Sequence, residues 1–267
     1  MSKVRDTFIL GRKEETGSRG LHMAEVFPNA PITEALIDIR VELPEDATIP
    51  KLEKLHDLIK AEYPGKKSRR RFEAQIEFKE EQQPLRRSTF QQDGYYFTSA
   101  DGKRIVQYRL DGFSFNRLRP YSRWKDLRDE ARKAWDIYVT HANPLAVNRL
   151  AIRYINSIEI PSKSFDYDDY FTAVPKIPEG LPQVLGHFFT RTAIPFADHD
   201  ATAVVIQTPS EKQGPVSTAI ILDIDVFVQR SLPSEDQGIW GILEQLREIK
   251  NEIFFKSITE RTKGLFR

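Results

Sequence analysis

The chain contains no cysteine among its 267 residues. A disulfide framework, a thiolate metal site and a cysteine nucleophile are therefore excluded. No run approaches the roughly 18 apolar residues of a membrane-crossing helix. The basic start, with Arg5, Arg12, Lys13 and Arg19, surrounds only the short apolar triplet Phe8-Ile9-Leu10, too little for a secretory signal. Cytoplasm is the expected compartment. An excess of one charge is missing too: 40 Lys and Arg stand against 39 Asp and Glu, a formal net charge of +1. Affinity for a polyanion would have to come from a local patch. Common catalytic signatures are likewise lacking. Gly65-Lys66-Lys67-Ser68 has no upstream glycine for a phosphate loop, and there is no G-x-S-x-G or H-E-x-x-H. The five histidines, His22, His56, His141, His187 and His199, share no metal-ligand spacing.

What the chain does contain is an internal echo. Pro31 to Arg40 reads against Pro144 to Arg153, with Ile32 on Leu145, Ile37 on Leu150, and Ile39-Arg40 on Ile152-Arg153. After a three-residue slip, Trp124 falls on Trp240, Leu127 on Leu243, Ile137 on Ile253 and Tyr138 on Phe254. Self-similarity at a fixed offset bears on architecture before any motif does. It divides the chain into a charged, flexible arm (1–26), a first half (27–143) and a second half (144–267), packed as one unit.

Each half reads as strand, helix, three or four strands, helix. Ala35, Ile37, Ile39, Val41 and Leu43 alternate with polar residues, as in a strand with one buried face. Leu52, Leu55, Leu58 and Ile59 predict a helix over 51–62, ended by Pro64-Gly65. Phe72, Ala74, Ile76 and Phe78 predict a further strand. Asp93-Gly94, Asp101-Gly102 and Asp111-Gly112 read as hairpin turns, since glycine accepts positive φ. Trp124, Leu127, Ala131, Trp135 and Tyr138 stripe a helix over 121–141. In the second half, Phe165 to Phe171 stands as the counterpart of the first helix. Strands follow at Val184 to Ile194, Ala203 to Gln207 and Ser217 to Val228. Ser234 and Gln237 offer a capping box to a helix burying Ile239, Leu243, Leu246, Ile249 and Ile253. The fold class is α+β: one curved antiparallel sheet, or a barrel, backed by helices on one face.

Basic residues are the strongest chemical signal. Lys66, Lys67, Arg69, Arg70 and Arg71 crowd one strand, with Arg86 and Arg87 on its neighbour. Arg104, Arg109, Arg117, Arg119 and Arg123 follow, interleaved with Tyr108, Phe113, Phe115 and Tyr121. The planar guanidinium donates in pairs to phosphate or carboxylate, and arginines among aromatics can hold unstacked bases. A solvated, aggregation-resistant strand edge is the plainer reading of the same run. Asp223 and Asp225 point to one face of a strand, about 7 Å apart by strand rise, where they could share a divalent ion or form a polar face. Asp198-His199-Asp200 is either a polar turn or a tuned general base.

Glu73-x-Gln75-x-Glu77-x-Lys79 resembles the E-x-E-x-K strand of the triphosphate-tunnel enzymes. That resemblance implies a charged barrel and a metal-dependent phosphohydrolase or nucleotidyl enzyme using Glu73, Glu77, Lys79, Asp223 and Asp225. Pro28-Asn29-Ala30-Pro31-Ile32-Thr33-Glu34-Ala35 followed by Ile37-Asp38-Ile39-Arg40 resembles the opening of a sporadically distributed, uncharacterised bacterial and archaeal family. Arg149 to Asn156, Leu222 to Phe227 and Phe254 to Thr259 resemble its later blocks. The resemblance implies a defence or toxin–antitoxin setting and no particular activity. The duplicated strand–helix arrangement resembles, in architecture alone, the saddle of the TATA-binding protein.

With no assembled catalytic constellation, the leading expectation is a non-enzymatic binding module without a cofactor. Its polar sheet face would engage nucleic acid or an acidic protein through Arg69, Arg70, Arg71, Arg86, Arg87, Arg104, Arg109, Arg117 and Arg119. The triphosphate-tunnel enzyme with a divalent metal is the alternative. A regulatory or immunity-type protein that covers another protein is the third.

Overall fold

A computed structural model describes residues 27–77, 85–211, 214–234 and 238–267, with the backbone alone over 72–77 and 85–89. The arm expected over 1–26, Lys79 and the Gln237 side of the capping box lie outside the described residues. Nine strands form one antiparallel sheet: β1 (Ile32–Glu42), β2 (Gly65–Glu77), β3 (Leu85–Thr98), β4 (Arg104–Arg109), β5 (Gly112–Leu118), β6 (Ala146–Ile160), β7 (Thr190–Phe196), β8 (Ala201–Pro209) and β9 (Thr218–Val228). Their order is β2-β3-β4-β5-β1-β6-β9-β8-β7. Among the described residues the sheet ends in two edge strands, β2 and β7, so the barrel alternative is corrected to an open sheet. Among the described residues no helix is long and apolar enough to cross a membrane.

The order reads outward from the central β1–β6 pair in the same way on both sides. In each half the last strand (β5, β9) flanks the first, and earlier strands follow. The echoed segments pair with each other: Ile37 faces Ile152, Ile39 faces Leu150, and the echo equivalents Asp38 and Ala151 face one another. Asp38 therefore sits at the centre of the sheet. Its neighbours Ile37 and Ile39, on the opposite face, are fully buried.

Helices cover that apolar face. Helix α3 (Trp124–Ala142) buries Trp124, Leu127, Ala131, Ala134, Trp135 and Tyr138, against Tyr108, Phe113 and Phe115 of the sheet. Each fully buried side chain of this size contributes roughly 1.5–3 kcal/mol. Tyr108 donates to the Ala134 carbonyl at 3.0 Å and Tyr138 to the Arg109 carbonyl at 2.7 Å, so the two phenols cost no unsatisfied polar group. Helix α4 (Gly238–Ser257) buries the expected Ile239, Leu243, Leu246, Ile249 and Ile253 beside β6 and β9. The first helical stretch divides into α1 (Ile49–Lys54) and α2 (His56–Ile59). This turn of the chain leaves Leu58, assigned above to the buried face, 53% exposed. A short α5 (Glu260–Gly264) closes the chain.

Three local expectations are corrected. Asp93-Gly94 is no turn: β3 runs through it, with a register shift opposite Arg69 and Arg70. A Cβ at Gly94 would come within 2.2 Å of the Tyr108 carbonyl oxygen, so glycine there serves the close approach of β4. The segment 165–171 forms only a single 3-10 turn at Tyr167–Asp169, although Tyr170 and Phe171 still reach the core. The strand expected from Val184 begins only at Thr190.

Candidate anion-binding basin

The face of the sheet away from α3 and α4 carries a chain of ion pairs centred on Asp38. Alternation along β1 sends Asp38 and Arg40 to this face because Ile37, Ile39 and Val41 go to the other. The same parity brings Arg109 from β4, Arg149 and Arg153 from β6, and Asp223 and Asp225 from β9. Arg109 Nη2 donates to Asp38 Oδ2 at 2.8 Å. Arg40 Nε donates to Asp38 Oδ1 at 3.1 Å, and Arg149 Nη1 approaches the same oxygen at 3.3 Å. Arg149 Nη2 continues to Asp225 Oδ2 at 2.9 Å, and Arg153 Nε to Asp223 Oδ1 at 2.8 Å. In the other direction Arg40 and Arg71 both reach Asp111, Arg109 Nε lies 3.1 Å from Asp111 Oδ1, and Arg69 pairs with Asp93. Six arginines thus meet five aspartates across β2 to β9.

Burial sorts these charges. The side chain of Arg109 is 4% exposed and that of Asp38 11%. Burial works against the charge of Asp38, but the guanidiniums of Arg109, Arg40 and Arg149 outweigh it and hold the carboxyl below the ordinary range. Asp225 goes the other way. Its desolvation raises the carboxyl above the usual value despite Arg149 and Arg153, and the nearby charge of Asp38 adds to the rise. Arg40, Arg153 and Arg71 remain 37%, 41% and 43% exposed, so these three guanidiniums are the most available to a ligand.

These groups line a concavity of about 520 Å³. Its walls are Asp38, Arg40, Arg109, Arg149, Arg153 and Asp225, together with Leu36, Gln107, Ser114 and Asn116. Four arginines against two aspartates leave the lining with a formal excess of two positive charges. Asn116 is fixed as a polar wall: it donates to Glu34 Oε1 at 2.6 Å and accepts from Gln107 at 3.0 Å. Such a volume is in the range of small-molecule sites, and its donors suit phosphate or carboxylate.

The residues expected to bind divide accordingly. Arg109, Arg69 and Arg71 lie on the open face, though paired with aspartates. Arg104 and Arg117 do not: both point to the helix side and pair with Glu130 of α3, at 3.2 and 2.9 Å. Their placement is corrected because each shares strand parity with core residues, Arg104 with Val106 and Tyr108, and Arg117 with Phe113 and Phe115. Arg119 is exposed just beyond β5, and Arg70 is exposed on the β2 edge. The backbones of Arg86 and Arg87 pair with Ile76 and Gln75, and their side chains lie outside the description. Asp38, Arg40, Arg149 and Arg153 were visible in the sequence only as parts of the echo and of the family-like blocks, and Asp111 only as a turn residue.

The acidic candidates separate as well. Asp223 and Asp225 are engaged by Arg153 and Arg149. Strand β2, which carries Glu73 and Glu77, lies six strand positions from β9, and the side chains of both glutamates lie outside the description. Among the described residues no group of three or more His, Asp or Glu side chains could hold a metal ion. Asp198 and His199 sit in the turn between β7 and β8, where Asp200 takes a left-handed φ of 48°. The chain matches no protein-family model and no curated protein sequence.

Proposed function

We propose that this protein is a non-enzymatic binding module whose open sheet face engages nucleic acid through the arginine-lined basin. The observation that carries the reading is the concavity around Asp38, where Arg40 and Arg153 keep free donor capacity above a rigid floor of paired charges. The floor costs little reorganisation on binding, because its guanidiniums are already oriented by carboxylates. Near-neutrality of the wider face sets the kind of binding. With Arg40, Arg71 and Arg153 as the most exposed arginines of the network, about three phosphates would be neutralised, giving a slope of log affinity against log salt of roughly −2 for a single strand.

Fluorescence anisotropy with short labelled oligonucleotides at several salt concentrations tests the reading. Binding with a slope near that value, weakened by Arg153→Gln, supports it. Salt-independent binding, or none at low salt, refutes it. Tighter binding of a polyglutamate peptide than of any oligonucleotide would replace nucleic acid by an acidic protein as the partner.

A further inference from the structure

We propose that Arg149 is a stacking platform for one unpaired base, so that the face takes single-stranded rather than duplex nucleic acid. This inference rests on the nucleic-acid reading above and adds the identity of the recognised element. Arg149 rises from β6 opposite Arg40, and its guanidinium lies 4.4 Å from the ring centroid of Phe227 on β9. Its Nη1 is directed to Asp38 at 3.3 Å and its Nη2 to Asp225 at 2.9 Å. An aromatic ring and two carboxylates thus fix the place and tilt of the plane.

Those contacts also decide what Arg149 can offer. Both terminal nitrogens are already turned to protein carboxylates, which leaves Arg149 poorly placed to take a phosphate in its plane. Phe227 lies against the group on one side. The side chain is 20% exposed and lines the basin, so the surface left for a ligand is the flat face of the guanidinium. Unstacked bases lie on such faces in single-strand recognition, and arginine suits the role because its charge is delocalised and weakly hydrated.

The neighbours complete a nucleotide site. Arg40 is the cross-strand partner of Arg149. Arg153 stands four residues further along β6, about 13 Å by strand rise. Arg40, beside the stacked base, and Arg153, further along the strand, can both donate to phosphates. Along its length a duplex turns only base edges outward, so apart from its ends it presents no face to Arg149.

The test compares three labelled ligands: a short oligothymidylate, a strand of equal length made of abasic sites, and the matching duplex. For the wild-type protein the oligothymidylate is expected to bind roughly ten-fold or more tighter than the abasic strand, within the range of one stacked base, and tighter than the duplex. Arg149→Lys keeps the charge and removes the plane. It should lower oligothymidylate binding far more than abasic binding, bringing the two to the same level. Phe227→Leu, which removes the support beneath the plane, should act in the same direction if the lysine variant does not fold. Equal wild-type affinity for thymidylate and abasic strands, or an equal loss on both in Arg149→Lys, would overturn the platform while leaving the nucleic-acid reading standing. No binding of any strand by the wild type would remove that reading, and the platform with it.

Discussion

Arg109 donates to Asp38 at 2.8 Å from two strands away, and both side chains are nearly closed off from water. The pair is the rigid centre of the open face. Arg40 and Arg149 converge on the same carboxylate, so a buried negative charge organises three positive ones.

Removing that carboxylate should therefore destabilise the protein out of proportion to one hydrogen bond. Asp38→Asn leaves the buried Arg109 with Asp111, 3.1 Å from its Nε, as its remaining carboxylate, and breaking a buried pair from one side costs up to about 3–5 kcal/mol. Urea unfolding should show a lower midpoint with unchanged slope. A loss below about 1 kcal/mol, the scale of exposed pairs, would mean that the charges at the centre are solvated.

Anion binding should tighten as pH falls into the acid range. Burial raises the Asp225 carboxyl above its usual value, so it takes up a proton while Asp38, held low by its arginines, keeps its charge. The lining then gains one net positive charge, and Arg149 loses one carboxylate partner. Asp225→Asn should reproduce the low-pH affinity at pH 7 and flatten the pH dependence. A pH profile identical in variant and wild type would reject Asp225 as its source.

On the covered face, Lys250 of α4 lies 4.0 Å from the centroid of the Tyr154 ring and donates to Asn251 Oδ1. Burial, with a smaller contribution from Arg247, pushes its ammonium down to about 7. The unfolded chain holds this proton up to about 10.4. Between those values the unfolded state binds more protons, so stability rises with pH, by up to roughly 1.4 kcal/mol per unit. Below about 7 both states are protonated, and the penalty of the buried charge is present in full. Lys250→Met should raise the urea midpoint at pH 7 and reduce the gain between pH 7 and 9.5. An unchanged gain would show that Lys250 is charged and hydrated in the folded protein.

Gly94→Ala probes how the charged floor is built. The new Cβ would meet backbone atoms of Tyr108 and Arg109 at 2.2 and 2.8 Å, a clash that no side-chain rotation relieves. Separation of β3 from β4 should cost about 1–3 kcal/mol, as overpacking does, and should loosen Asp93 from Arg69. A melting temperature within a degree of wild type would show that the strands can part without loss.

Much of this architecture was legible in the sequence, and the reasons are local. The alternation in β1 and the stripes of α3 and α4 follow from periodicities that one strand or helix declares by itself. Arg117 was readable too, since Phe113 and Phe115 share its parity, but the density of arginines drew attention from that alternation. Asp93-Gly94 was misread because glycine serves a close backbone approach as readily as a turn. The Asp38 centre was the least legible. Its partners lie 71 and 111 residues away, and only the strand order brings them together. The open sheet likewise depends on β2 and β7 remaining apart, which no local pattern states.

The central claim is that one face of the sheet, and not the other, holds the ligand. The most direct measurement compares the salt dependence of single-strand binding for Arg40→Gln/Arg153→Gln, on the open face, and Arg104→Gln/Arg117→Gln, on the helix side. The first pair should flatten the slope of log affinity against log salt by roughly 1.4, the loss of two phosphate contacts, and the second should leave it unchanged. A flattened slope in the helix-side pair, with the open-face pair behaving as wild type, would contradict the account.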